Sequence, residues 1–509
     1  MLTTQEKKYV SIFIKPTIDL TLTLEPAEKG VCASIGRLSL GNPYYPVILG
    51  NNPEPILSTV KNRGGNPDNE LAYHISDFFS GYAGKMIIGR VMNADDKTKI
   101  LKQTKDDDGN VVLDDDTDIN VFGDDNIKNW DDKDPDGAVE VVITACPTRK
   151  VTIEMINKDD ILTVTLYDNY GNEIYTKTGS CYYDALDDNG NNWYIGNIIN
   201  KKIINVKTDP DNDNYESNFT IVKTYENGLV SEDGDKNYSQ ALKIMKNVAE
   251  KCDYAITGGL TDKDTIQKFR NQVTYPAKLP LIIDLKGDTL DDVIDVKNNL
   301  NLNVSNCYFI WNRGKDVFDV GNQNIGLSGF VAGMCVRRNL SRMVDDIEYR
   351  VEGIAGVDYV VPRKKEEELE ILSDDDLTKL VDNRINTVRM FDDKLVIADI
   401  LSGEPKNIAT RLFPVVEGNL FINRYIAKIL QTKLFKNLNE AKQFAQVETK
   451  KLFDKCKRNS YFNNDVDEKY KIEVTDKDND TVIVNYWYVP AGVMRRGIVQ
   501  GTITKKITN

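Results

Sequence analysis

The sequence holds a single histidine, His74. That scarcity excludes an HExxH zinc site or a three-histidine centre, and leaves a Ser-His-Asp triad as the histidine chemistry still open. Cysteine is scarce too: seven residues, at 32, 146, 181, 252, 307, 335 and 456, are odd in number and form no CxxC pair. They read as buried free thiols in a reducing compartment, not as a disulfide framework. Long hydrophobic runs are missing. The longest apolar stretches, 329–336 and 279–285, the second broken by Pro280 and Asp284, fall far short of the roughly 20 residues that span a bilayer. Residues 1–8 are polar, unlike the apolar core of a signal peptide. Positive charge is in deficit: 65 Lys and Arg stand against 79 Asp and Glu, a net −14. Such a chain repels phosphate unless it carries a local basic stripe, so no general nucleic-acid binding is expected.

What is present is an ordinary globular balance, 28% charged and 40% hydrophobic over 509 residues. That length suits about three or four domains. Residues 9–15 and 18–24 alternate as strands around Pro16, and residues 499–507 read as a last strand. Neither terminal strand has a hairpin partner next to it, so each must find an edge elsewhere, in its own chain or another. Residues 46–49 and 85–91 read as strands flanking a helix over 69–79, half of a βαβ unit. From 95 to 136 Asp, Asn and Lys crowd the chain, which predicts exposed loop or weakly ordered hairpins. Short strands follow at 139–143, 151–156, 161–167 and 173–178. From 235 an alternation of helices (239–251, 261–269 with Thr261 as N-cap, 291–300) and strands (253–257, 280–284, 307–311) predicts a mostly parallel sheet covered on both faces. The 95–235 segment is then an insertion. A strand at 395–400, a long helical region from 420 to about 453 and strands at 470–474 and 481–488 suggest a closing α+β layer.

Few motifs carry chemistry. Asp132, Asp134, Asp136 and Gly137 match the start of a calcium loop, but its twelfth position is Ile143 where a bidentate Glu belongs. A solvated acidic turn is the better reading, and Asp209–Asp213 and Asp476–Asp480 are weaker versions. No GxxxxGK[ST] phosphate loop occurs. Gly326, Gly329 and Gly333 open an apolar helix-like run, where close helix packing explains them better than nucleotide binding. His74 reads as a packed or surface histidine. On the helix near 422–434, Ile422, Tyr425, Ile426, Ile429 and Leu430 share one face, with Arg424 and Lys428 opposite. That basic face is ordinary surface or a docking stripe for an acidic partner.

Taken in order, several segments resemble contractile phage tail sheath proteins. Tyr45-Pro-Val-Ile-Leu-Gly50 with the helix ending in Phe78 and Phe79 is similar to the family's N-terminal block. Asp187 to Asn200, with its Asn-Asn-Trp-Tyr-Ile-Gly core, resembles a segment of the larger sheaths. Ile256-Thr-Gly-Gly-Leu-Thr-Asp262 resembles its "P.GLTD" turn, Leu327-Ser-Gly-Phe-Val-Ala-Gly-Met-Cys-Val-Arg337 its "PSG.VAG..AR" helix, and Asn383-Arg-Ile-Asn-Thr-Val-Arg389 its "GIN.IR" strand. The run from Asn423 to Val493 looks like the closing domain. The tryptophan-containing stretch usual after the "VAG" helix is missing from residues 340–363.

The resemblance implies a multidomain α/β and α+β fold. It comprises an N-terminal arm (1–20), an α/β sheath domain (21–94 and 236–392) interrupted by an acidic, β-rich insertion at the outer surface (95–235), a C-terminal α+β domain facing inward (393–492), and a C-terminal arm (493–509) with exchanged terminal strands. It implies a structural homo-oligomer, a helical sheath of stacked rings around an inner tail tube protein. Baseplate and tail terminator proteins are further partners, with no cofactor, catalytic residue, metal, nucleic acid or membrane insertion. Contraction would drive the tube through a host envelope, in a virion assembled in the host cytoplasm. The inter-subunit arm strands would use Tyr9, Val10, Ile12, Phe13 and Ile14, and Val499, Gly501, Thr502, Ile503 and Ile507. Arg424 and Lys428 would face the tube. The sheath of a bacterial contractile injection system or tailocin is the alternative within the class, and a metal-assisted hydrolase built on the acidic turns the one outside it.

Overall fold

A computed structural model describes residues 30–50, 70–81, 84–130, 134–135, 137–148, 150–169, 171–225, 235–313, 315–316, 325–340, 354–355, 361, 363–364, 372–391, 394–463, 465–478 and 480–492. The strands expected near 9–15 and 499–507, with all ten arm residues named above, lie outside that set, as do Asp132 and Asp136.

Val31–Gly36 (β1), Val47–Leu49 (β2), the helix Glu70–Gly81 (α1) and Lys85–Arg90 (β3) open the fold. Lys97–Lys105 (β4), Val111–Asn120 (β5), Val139–Val142 (β6), Val151–Lys158 (β7), Ile161–Tyr167 (β8), Glu173–Ser180 (β9), a one-turn helix Ile195–Ile198 (α2), Asn205–Thr208 (β10) and Asn218–Tyr225 (β11) follow. Then come Tyr238–Val248 (α3), Tyr254–Ile256 (β12), Lys263–Phe269 (α4), Leu281–Leu285 (β13), Leu290–Leu300 (α5), Cys307–Trp311 (β14), Lys315–Asp316 (β15) and Ser328–Leu340 (α6). Arg363–Lys364 (β16), Asp374–Asp382 (α7), Ile385–Phe391 (β17), Lys394–Ile397 (β18), Phe413–Gln431 (α8), Leu438–Arg458 (α9), Tyr470–Asp478 (β19) and Thr481–Tyr488 (β20) complete it.

The centre is an eight-stranded sheet in the order β18-β17-β14-β13-β12-β1-β3-β2. Its six inner strands are parallel and both edge strands antiparallel. Alternation along each strand sorts side chains between two helical layers. Val31, Ala33 and Ile35, with Leu281, Ile283 and Leu285, meet Leu242 and Met245 of α3, Phe269 of α4 and Val293 of α5. Cys32, Ile256, Ile282 and Ile310 meet Ile75 and Phe78 of α1 and Phe330 and Val331 of α6. The sheet runs past the boundary expected at 393, because β18 pairs with β17 from Val388↔Ile397 to Phe391↔Lys394.

β1 lies between β3 and β12, so the chain between them can leave and return without breaking the sheet. The two crossings are tied together: Ala94 N–H donates to Asp235 O (2.8 Å) and Asn237 N–H to Met92 O (2.7 Å). Beyond that neck lie two four-stranded antiparallel sheets, β10-β6-β4-β5 and β11-β7-β8-β9. The acidic stretch expected as loop is for the most part the long hairpin β4–β5. Its charges are cross-strand partners, with Lys99 opposite Asp118 at 3.5 Å and Lys102 in register with Asp114. Leu101, Leu113 and Ile119 hold its buried side.

Two further expectations are corrected. α4 is capped by Asp262, whose carboxylate accepts the Thr265 N–H at 2.8 Å, and not by Thr261. The long C-terminal helical region is two helices, α8 and α9, broken at 432–437. Among the described residues no helix is long and apolar enough to cross a membrane.

Candidate functional site

The only histidine does join a serine and an aspartate. His74 Nδ1 is 3.3 Å from Ser328 Oγ, and its Nε2 lies 3.4 Å from Glu70 Oε1 and 3.6 Å from Asp284 Oδ2. The order of bonds is not that of a nucleophile. Ser328 Oγ–H goes to Asp284 Oδ2 at 2.5 Å, and Nδ1 accepts the Gly329 N–H at 3.2 Å. Ser328 and His74 are both fully buried. Asp284 also accepts the N–H groups of Leu327 (2.7 Å) and Ser328 (2.8 Å), so a carboxylate from the end of β13 meets the positive end of α6. Glu70 accepts the Gly326 N–H at 3.0 Å and pairs with Lys286. The cluster therefore fastens α1 and α6 to the sheet.

Electrostatics follow from this geometry. Burial pushes the Glu70 carboxyl up, but His74, Lys286 and the Gly326 N–H outweigh it and hold the group at about 2. Burial works against a charged His74, yet Asp284 and Glu70 outweigh it and raise its pKa. The glycines of the same run serve packing. A Cβ on Gly333 would stand 2.6 Å from the Phe78 carbonyl oxygen, and one on Gly329 would collide with the backbone of His74.

The acidic turns use their carboxylates on their own backbone. Asp106-x-x-Gly109-Asn110, Asp168-x-x-Gly171-Asn172 and Asp187-x-x-Gly190-Asn191 are one motif repeated three times. In each, the aspartate accepts the backbone N–H of the asparagine at 2.8 Å and its side-chain amide at 3.0–3.1 Å. Each glycine has φ near +80° (82°, 81° and 78°), where a Cβ is strained. Among the described residues no three His, Cys, Asp or Glu side chains are grouped to hold a metal.

The C-terminal layer offers the best candidate for assembly. β19 and β20 form a two-stranded antiparallel sheet, and among the described residues neither pairs with a third strand. One face is docked on the helices: Tyr470, Ile472, Val484, Tyr486 and Tyr488 pack around Phe453 and Phe462. Tyr486 OH reaches Asn419 and Asn423 of α8, both at 2.9 Å. No residue of either strand is fully buried. An isolated hairpin is marginal in water, and an edge of unpaired N–H and C=O groups is a template for an added strand.

The two basic residues singled out on α8 have acidic neighbours in their own chain. Arg424 bonds the Cys252 carbonyl oxygen (2.5 Å) and Asp253 (3.3 Å). Lys428, one turn on, is exposed with Glu250 and Asp253 nearby. Ile422, Ile426 and Ile429 are buried as their spacing predicts, but Tyr425 is exposed. It lines a groove of about 300 Å³ with Phe421, Leu452 and Cys456.

No protein-family model matches the sequence, and no curated protein does. Solved structures do. A sheath tail protein from Listeria innocua is similar with a TM-score of 0.52 at 11% identity, over 92% of this chain and 93% of that one. One from Desulfitobacterium hafniense gives 0.49 at 10% identity, over 93% and 100%. The PVC sheath of an extracellular contractile injection system, in its contracted state, gives 0.43 at 16%, over 54% and 77%. The chain shares the fold of the Listeria sheath tail protein.

Proposed function

We propose that this chain is the structural subunit of a contractile tail sheath, polymerising helically around an inner tube and contracting to drive that tube through a cell envelope. The observation that carries the reading is a fold shared with a sheath tail protein over nine-tenths of both chains. Fold alone does not make function, and the open hairpin β19–β20 supplies the second support. It offers strand edges to the terminal segments 1–20 and 493–509 of neighbouring copies. Backbone ladders of that kind hold while domains turn about flexible arms, as a contracting lattice requires. The energy would be the difference between two lattice packings, so no nucleotide site is needed. In this reading the 95–235 insertion lies outward and the α8–α9 layer inward. Lys428, with Arg424 engaged by Asp253, is the side chain offered to the tube. A tailocin or injection-system sheath would use the same subunit chemistry.

Deleting residues 1–16 tests the arm assignment. The truncated chain is expected to remain a folded, soluble monomer that fails to pellet as polymer in a sedimentation assay where the full chain does. Normal polymers from the truncation would overturn the assignment.

A further inference from the structure

The tip of the α8–α9 hairpin breaks two rules at once. Phe435 has φ +61°, in the left-handed region where helices usually end on glycine, and it is 82% exposed. Leu434 beside it is 36% exposed, and Lys433 and Lys436 flank the pair. A bulky aromatic held in a strained conformation and presented to water destabilises the monomer twice over, the pattern of a residue kept for a partner.

Charge identifies the partner. Residues 424–458 carry ten basic and three acidic side chains, a net +7, against −21 for the rest of the chain. The adjoining stretch 459–492, which contains β19 and β20, carries three basic and seven acidic, a net −4. On that acidic stretch the hairpin face turned away from the helices presents Trp487 (52% exposed) and Val489 (40%). Lys471 Nζ stands 5.4 Å from the centre of the Trp487 ring. One C-terminal layer thus bears a basic apolar knob and, on a different patch, an acidic apolar face.

We infer that Leu434 and Phe435 of one copy dock on the Trp487–Val489 face of a second copy of this chain. The contact joins two different surfaces, so it repeats head to tail and builds rings or open helices. It rests on the sheath reading for its setting, and it adds a second inter-subunit contact that leaves the edges of β19 and β20 to the arms.

Phe435→Gly separates docking from folding. Glycine is at ease at φ +61°, so the variant monomer is expected to unfold at the same or a higher temperature than the natural chain. Its assembly is expected to need about tenfold more protein, read by sedimentation, because a central aromatic anchor is lost. Trp487→Ala should have a similar effect, and the double variant should be little worse than either single one, since both remove the same contact. Raising salt from low to high should weaken assembly of the natural chain more than that of Phe435→Gly. Unchanged assembly of Phe435→Gly, or strictly additive effects of the two substitutions, overturns the contact. So does a variant that assembles normally but no longer co-sediments with an inner tube, since the knob then serves the tube. Should the full chain form no tubes, the sheath reading fails on its own. The contact is then judged by whether Phe435→Gly weakens whatever self-association remains, and a chain with none overturns it.

Discussion

Glu70 and His74 set opposite limits on pH. The Glu70 carboxyl is held near 2, so its contribution is present above the ordinary carboxylate value and fades as pH falls toward 2. The raised pKa of His74 has the opposite sign. Its contribution is full below the ordinary imidazole value and is lost as pH rises through the folded value. The two overlap between about pH 4.5 and 6.5, where the α1–α6 junction should be most stable. Glu70→Gln is expected to cost about 2 kcal/mol in the unfolding transition of this domain near pH 5.5, with the difference shrinking toward pH 2. A pH–stability profile identical to that of the natural chain would contradict the assignment. Gly333→Ala, which drives a methyl into the Phe78 carbonyl, should destabilise the same junction by about 1–3 kcal/mol at every pH. Equal stability in denaturant would show that the two helices pack less tightly than described.

Among the elements, those with a strong apolar period were legible and those built from polar pairs were not. α1, α3, α5, β13 and β14 stand where their spacing places them, because each buries a continuous apolar stripe or run. β4 and β5 were hidden by charge: Lys97-Thr-Lys-Ile-Leu-Lys-Gln-Thr-Lys105 has only two apolar residues, and its lysines find aspartates across the hairpin. The repeated Asp-x-x-Gly-Asn signal was readable as a turn, and it explains why the acidic clusters are not metal loops. Asp168→Ala should remove both bonds to Asn172 and destabilise the β8–β9 hairpin by about 1 kcal/mol, measured by hydrogen exchange of its amides. Unaltered protection there would leave the motif without a stabilising role. The candidate site was the least legible part. Nothing in the pattern of 432–437 announces a phenylalanine in a left-handed turn, because conformational strain leaves no periodicity to read.

For the whole molecule, the shortage of positive charge noticed first turns out to be regional. The acidic excess lies outside 424–458, and the basic excess is gathered on α8 and α9 beside an acidic hairpin. A chain with both signs in separate patches of one layer is suited to meeting its own copies, while its overall −14 limits indiscriminate association. Electron microscopy of the purified full-length chain in negative stain tests self-assembly most directly. Hollow tubes or stacked rings are the expected result. A uniform population of single particles at every concentration and salt would contradict the sheath assignment.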